Sequence, residues 1–162
     1  MLQRFMIVIA LGFLGVSPIL AETPLGLAVE GVQKIRLNNK VGKRQIKFVS
    51  EAPMENIHGT ASDIVGDLTF DPANLEEMTA RIEVGVASME TGIKKRDEHL
   101  HSKDWLDAEQ FSKIIFEVKE LKDVSVKAQE AKADIKATAM GQFTLPGITK
   151  EISIPVEMTY LL

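Results

Sequence analysis

The sequence predicts an antiparallel all-β domain, a sandwich or a barrel, with one short helix. Apolar residues alternate with polar ones in six segments, and turn residues such as Asp71-Pro72 and Pro146-Gly147 separate neighbouring segments. A period of two is typical of strands that bury one face. Only one stretch, residues 94–106, favours a helix. Many short strands with few helices favour a sandwich or a barrel.

The chain begins with a pattern that predicts a secretory signal peptide, residues 1–21. Arg4 precedes a twelve-residue apolar run, Phe5 to Val16, and Pro18 and the small Ala21 follow it. A membrane-spanning helix needs about 20 apolar residues, so this run is too short to be typical of one. We expect cleavage after Ala21, a domain over residues 22–162, and a periplasmic or secreted protein without stable membrane insertion. An uncleaved anchor is the alternative.

The first three alternating segments read "RQIKFVS", "IVGDLTFD" and "TARIEVGVA". Each places its apolar residues on one face of a strand. Those faces consist of Ile46, Phe48, Ile64, Gly66, Leu68, Phe70, Ile82, Val84 and Val86.

The last three segments read "KIIFEVKEL", "DIKATAMGQFTL" and "EISIPVEMTYLL". Between the first two of them, "VKAQEAKADIKATAM" contains residues that favour a helix. Its Val124, Val126 and Ala128 nevertheless alternate with polar neighbours, and we therefore predict a two-stranded hairpin. The small Ala137, Ala139 and Gly141 on an inward face suit a taper or a partly open interior. A filled core remains the alternative, because periodicity does not distinguish the two.

Three motifs in order resemble the YceI-like, polyisoprenoid-binding proteins of bacteria. They are "VGDLTFDPANLEEMTARIEVGVASMETG", "RDEHLHSKDWLDAEQFSKIIFE" and "GQFTLPGITKEISIPV", which span roughly residues 59–156. The resemblance implies an extended antiparallel β-barrel similar to the lipocalins. It also implies an exported protein that holds a long isoprenoid chain. The chain departs from the family pattern at Pro146 and Ser112, and its opening strand lacks the family's histidine.

The resemblance favours a hollow interior, so we predict that the inward apolar face binds a long-chain isoprenoid lipid of quinone or polyprenyl type. A homodimer stays open. The predicted ligand contacts are Ile46, Phe48, Leu68, Phe70, Ile82, Val84, Val86, Phe116, Val118, Ala137, Ala139, Phe143, Ile154 and Val156.

The helical segment contains His99 and His101, whose side chains point about 200° apart on a helix and do not readily share a metal. The resemblance places Arg96, Asp97, His99 and Ser102 in a polar scaffold beside the barrel. We expect the Arg96–Asp97 region to tie this cover in place, and Leu100 and Trp105 to anchor it on the barrel.

Other function classes are disfavoured by composition and motifs. The net charge of −4 disfavours nucleic-acid binding, which depends on Lys and Arg. The chain has no cysteine, and therefore no disulfide or thiol chemistry. The sequence shows no nucleophile elbow. We therefore expect that the protein is not an enzyme and binds no metal or cofactor. The alternatives are an enzyme at the barrel mouth that uses His58, His99 or His101, and a stress-related structural protein with a filled barrel.

Overall fold

The alternating segments fold as strands in the structure, a computed structural model that describes residues 22–38, 46–51 and 56–162. The predicted signal peptide lies outside the described residues, as do residues 39–45 and 52–55. The described strands are β1 (Gln33–Leu37), β2 (Ile46–Ser50), β3 (Ile57–Ala61), β4 (Ile64–Asp71), β5 (Asn74–Gly85), β6 (Met89–Glu90), β7 (Lys113–Gln129), β8 (Lys132–Leu145) and β9 (Ile148–Leu161). The helix is α1 (Lys94–His101), and a 3-10 turn covers Val86–Ser88.

All described strand pairs are antiparallel, as predicted. They form a six-stranded sheet in the order β1-β4-β5-β7-β8-β9 and a three-stranded sheet in the order β2-β3-β6. Among the described strands, β1 and β9 stand at the edges of the larger sheet. Pro155 lies within β9, which suits an edge strand because proline cannot donate a hydrogen bond to a neighbour.

The segment with mixed helix and strand signals is a hairpin, as predicted. β7 ends at Gln129, β8 begins at Lys132, and Val126 pairs with Ile135 across the turn. On β8 the side chains of Ala133, Ile135, Ala137 and Ala139 are buried, with less buried residues between them. Burial of this alternating face overrides the helix propensity of the Ala, Lys and Glu residues.

One end of the larger sheet is a packed core, which we call the filled end. Its largest fully enclosed side chains are Leu25 and Leu75, both 0% exposed. Leu68, Phe116, Val118, Ile154 and Val156 pack against it, together with other half-buried apolar residues. The cluster consists of Leu25, Phe70, Leu75, Met78, Leu121, Ala133, Ile135, Ala137 and Ala139.

The segment that precedes β1 completes the filled end. The backbone N–H of Leu25 donates to the carbonyl oxygen of Pro72 over 2.7 Å, and that of Leu75 donates to Thr23 over 3.1 Å. The backbone N–H of Thr23 also donates to the Glu76 carboxylate over 2.8 Å. These bonds hold Leu25 between the strands, so an aperiodic segment supplies a core residue.

The small residues of β8 have a packing reason in this structure. A Cβ at Gly141 would lie 2.0 Å from the carbonyl oxygen of Glu117 on β7, so only glycine permits this approach. Ala139 is 1% exposed and pairs in register with Leu121. The structure therefore places these residues in close-packed surroundings, and not beside open space.

The predicted helix is confirmed, but residues 94–106 extend the prediction too far at the carboxyl end. α1 ends at His101, and residues 103–106 form turns. Ser102 is extended, with φ of −70° and ψ of 167°, and its hydroxyl donates to the carbonyl oxygen of His99 over 2.7 Å. A serine hydroxyl that bonds to nearby backbone competes with helix continuation. Within the described part of the chain, no helix is long and apolar enough to cross a membrane.

Candidate functional site

A cavity of about 760 Å³ lies beneath α1, and we call it the α1 cavity. It opens at the end of the larger sheet opposite the filled end, because its β7 contact is Ile114 whereas the core residue on β7 is Leu121. This volume falls within the roughly 300–1,000 Å³ of small-molecule sites. The described lining residues are Phe48, Ser50, Ile57, Met89, Thr91, Ile93, Lys95, Arg96, His99, Leu100, Trp105, Leu106, Ile114 and Leu145.

Phe48 forms one wall of the α1 cavity because its strand partner is glycine. Phe48 on β2 pairs with Gly59 on β3, and a Cβ at Gly59 would lie 2.1 Å from the Phe48 ring. The ring therefore occupies the space that any larger residue at 59 would need. The strand pairing and this glycine together fix where the aromatic wall stands.

Polar contacts hold α1 over the cavity. The backbone N–H of Thr91 donates to the Asp97 carboxylate over 2.7 Å, and Arg96 Nε donates to the Thr91 hydroxyl over 2.9 Å. The Thr91 hydroxyl and its backbone N–H keep the pKa of Asp97 below its ordinary value, with smaller contributions from His101 and Arg96. The prediction that the Arg96–Asp97 region ties this cover in place is confirmed.

The expected apolar anchor is wrong for Trp105. Its residue is 60% exposed, because it lies in the turns after α1 and forms part of the open cavity wall. Leu100 is half-buried and lines the same cavity. The helix is thus held by hydrogen bonds, and its single apolar residue, Leu100, lines the cavity.

Apolar surface continues beyond the α1 cavity. A second cavity of about 440 Å³ shares Trp105, Leu106 and Leu145 with it and extends along Phe143 and Ile148. Ile93 is 54% exposed and Ile148 is 64% exposed at this end of the molecule. A large contiguous patch of exposed apolar residues typically marks an interaction site or a ligand-binding groove.

The three histidines lie in different surroundings. His99 is exposed and lines the α1 cavity, whereas His101 is half-buried and its ring N–H donates to the carbonyl oxygen of Met89 over 2.9 Å. His58 is exposed on β3 and lines an adjoining hollow, beside Val49, that shares Phe48 and Thr91 with the α1 cavity. Among the described residues, no group of three or more His, Cys, Asp or Glu could hold a metal ion. The absence of a metal stays a prediction.

The fourteen predicted ligand contacts lie in different parts of the structure, and only two of them line the α1 cavity or the cavity beside it. Phe48 lines the α1 cavity, and Phe143 lines the adjoining one with its ring centroid 6.3 Å from that of Phe116. Val86 is fully buried in the 3-10 turn. Phe70, Ala137 and Ala139 belong to the filled end, and Leu68, Phe116, Val118, Ile154 and Val156 pack against it. Ile46, Ile82 and Val84 are half-buried on β2 and β5. Whether any of them contacts a ligand stays a prediction.

Sequence reasoning did not assign most of the cavity lining to the site. Met89 lies on a strand of two residues, too short for alternation to be visible. Ile93, Leu100 and Leu106 lie on or beside α1, where a period of two does not apply. Ile114 was in phase with its strand, and that signal could have added it to the predicted contacts.

A family model described as "YceI-like domain" matches residues 39–161. The chain belongs to the YceI-like family. Among curated relatives, a UPF0312 protein of Ectopseudomonas mendocina is 31% identical over 140 residues, 83% of this chain and 69% of the relative. A UPF0312 protein of Pseudomonas fluorescens is 38% identical over 100 residues, 60% of this chain and 48% of the relative. The chain thus spans about half the length of some YceI-like relatives it matches.

Solved YceI-like structures share the fold. BcnA of Burkholderia cenocepacia superposes with a TM-score of 0.54 at 23% identity, over 66% of this chain and 62% of BcnA. The Campylobacter jejuni YceI protein superposes with a TM-score of 0.52 at 24% identity, over 72% and 61% of the two chains. The fold prediction is confirmed as a lipocalin-like antiparallel architecture.

Proposed function

We propose that this protein binds a long-chain isoprenoid lipid, of quinone or polyprenyl type, and carries or sequesters it. The observation that supports this most is the α1 cavity of about 760 Å³, with apolar walls that include Phe48, Ile57 and Leu106. One end of the isoprenoid chain occupies this cavity, and the chain continues along the adjoining apolar surface beside Phe143. Such binding needs no catalytic residue.

The apolar contacts suffice for useful affinity. Removing a CH₂-sized group from water contributes about 0.8 kcal/mol, so 20 such groups, the carbon count of four isoprene units, contribute about 16 kcal/mol. Association consumes roughly 4–15 kcal/mol of this gain. Micromolar binding requires a net of about 8 kcal/mol. An association cost of up to about 8 kcal/mol, which lies in the lower part of this range, therefore leaves micromolar affinity or better.

We place the carrier in the periplasm, or outside the cell, on the basis of the apolar run that precedes Ala21. In the periplasm or outside the cell, the protein meets lipids that leave a membrane. A lipid carrier acts on such lipids. Amino-terminal sequencing of the protein purified from its own host tests this step. We expect a start at Glu22, and a start at Met1 contradicts it.

Native mass spectrometry of the protein purified from its host tests the ligand. We expect a copurifying isoprenoid, which Ile57→Trp expels because it fills the α1 cavity. Val49→Trp is the matched control, since Val49 lies on the neighbouring strand and is 56% exposed. If folded Ile57→Trp carries as much lipid as the parent, the α1 cavity is not the site. The delipidated protein is also incubated with isoprenoids. If no isoprenoid copurifies with the native protein and none binds to the delipidated protein, the proposed function is wrong.

A further inference from the structure

We infer that the ligand of the α1 cavity carries an anionic head group, a carboxylate or a phosphate, which Lys95, Arg96 and His99 hold at the mouth. This inference rests on the proposed function and specifies the chemistry of the same site. The inference describes how the head group of the ligand is bound, whereas the proposed function describes how the apolar walls bind its chain.

The titratable residues that line the α1 cavity are all basic in the part of the chain that the structure describes. They are Lys95, Arg96 and His99, and they come from α1. Lys95 and His99 are four residues apart, so their side chains lie on one face of the helix, one turn from each other. That face therefore presents cationic and donor groups next to otherwise apolar walls.

The acidic residues of α1 are engaged elsewhere. The Asp97 carboxylate accepts a hydrogen bond from Thr91, and Glu98 lies 3.9 Å from Lys94 Nζ. Neither acid lines the α1 cavity. Three of the five basic residues of α1 thus line the cavity, whereas Lys94 lies near Glu98, His101 bonds to Met89 and neither acid faces the cavity.

This basic mouth contrasts with the rest of the molecule. The net charge of the chain is −4, whereas the described titratable residues that line the α1 cavity are all basic. A second hollow of similar size, about 780 Å³, lies by the filled end and is lined by five acids and two lysines. Its acidic residues are Glu22, Glu76, Glu77, Glu120 and Asp123. Two hollows of similar volume are therefore lined by side chains of opposite net charge.

An anionic head group gains more from this mouth than a neutral one. A carboxylate or a phosphate accepts charge-assisted hydrogen bonds from Lys and Arg, which are shorter and stronger than bonds between neutral groups. Arg96 already donates to Thr91, which fixes its guanidinium beside the mouth. Lys95 is exposed, so salt screens its interaction and its contribution is a modest factor.

Matched ligands test the inference. Trp105 is the single tryptophan of the chain and lines the α1 cavity, so its fluorescence measures binding directly. Delipidated protein is titrated with farnesyl phosphate and farnesol, and in parallel with dodecanoate and dodecanol. We expect each anionic ligand to bind about five to ten times more tightly than its neutral counterpart at low salt, with the ratio shrinking at high salt. The two pairs distinguish phosphate from carboxylate recognition.

Charge variants localise the preference. We expect Lys95→Gln to reduce the ratio of farnesyl phosphate affinity to farnesol affinity to about half, and Lys95→Glu to abolish this preference. Lys103→Gln is the matched control, because Lys103 is exposed and does not line the α1 cavity. If farnesol and farnesyl phosphate bind equally, or if Lys95→Glu keeps the preference, the inference is wrong and the proposed function stands. If no ligand binds, both are wrong.

Discussion

The two ends of the larger sheet differ in what covers their apolar faces. At the filled end, Leu25 and Leu75 are 0% exposed and Phe70 is 4% exposed. Among the described residues that line the α1 cavity, only Met89 is buried to a similar degree, at 8%. Strands β7 and β8 run through both ends. On these two strands the difference therefore comes from what packs against them, and the other strand residues of the cavity, such as Phe48 and Ile57, lie on the smaller sheet.

Different packing partners explain the contrast. At the filled end, an extended segment inserts Leu25 and is tied by backbone bonds to Pro72 and Leu75. At the other end, α1 is held at a distance by polar bonds to Thr91 and Met89, so it covers the space without filling it. A protein of this size thus combines a stabilising core on the larger sheet with an unfilled site lined by α1, by the smaller sheet and by the opposite end of the larger sheet.

Truncation of a core leucine tests the contrast with the largest expected effect. Leu75→Ala removes fully buried atoms, and we expect a loss of about 2–5 kcal/mol of unfolding free energy. Ile57→Ala at the α1 cavity should cost no more than about half of that, because its surroundings already lack contacts. Urea denaturation followed by circular dichroism measures both. Equal losses would contradict the distinction between a filled and a hollow end.

Gly141→Ala examines the close approach of β7 and β8. The added Cβ would lie 2.0 Å from a backbone oxygen of Glu117, so the strands must separate. We expect a loss of about 1–3 kcal/mol, typical of overpacking, without a change in the anion preference of the α1 cavity. Thr138→Ala on the same strand is the control, since Thr138 is only half-buried. A stable Gly141→Ala variant would show that the two strands separate at little cost.

The sequence predicted the helix and the strands β2, β4, β5, β7, β8 and β9, but it missed the short β1, β3 and β6 and located the site poorly. Alternation correctly assigned β7 and β8 as a hairpin because a half-buried strand imposes a period of two. It could not distinguish Phe48, which lines the α1 cavity, from Phe70, which lies in the core, because both occupy inward positions. That distinction depends on Leu25, whose segment has no period. The resemblance to the YceI-like family supplied the fold and the ligand class, but not the location of the cavity.

A smaller expected effect concerns the wall of the α1 cavity. Gly59→Ala places a Cβ where the Phe48 ring lies, and this ring must rotate away because it is the end of a movable side chain. We expect a stability change of about 1 kcal/mol or less, and a loss of isoprenoid affinity of several fold. Phe48→Leu is the companion variant, since it removes the ring and should lower affinity similarly. Unchanged affinity in both variants would remove Phe48 from the site.

The smallest expected effect is acid loosening of α1 while the filled end stays closed. The Thr91 hydroxyl and backbone N–H lower the pKa of Asp97 from its ordinary 3.8. A depressed carboxyl pKa contributes stability that is present above the ordinary value and is lost as the pH falls through the folded pKa. Below about pH 4, hydrogen exchange corrected for its intrinsic rate should therefore rise at the Thr91 amide, which donates to Asp97. The Leu25 amide, measured in a Glu76→Gln background, should stay protected over the same range. Its acceptor, the Pro72 carbonyl oxygen, does not titrate, and the Glu76 carboxylate that binds neighbouring Thr23 is then absent. Asp97→Asn retains an acceptor oxygen without the charge, and we expect it to remove the acid dependence at Thr91. If both amides lose protection together, or if Asp97→Asn responds to acid as the parent does, α1 is not held independently of the filled end.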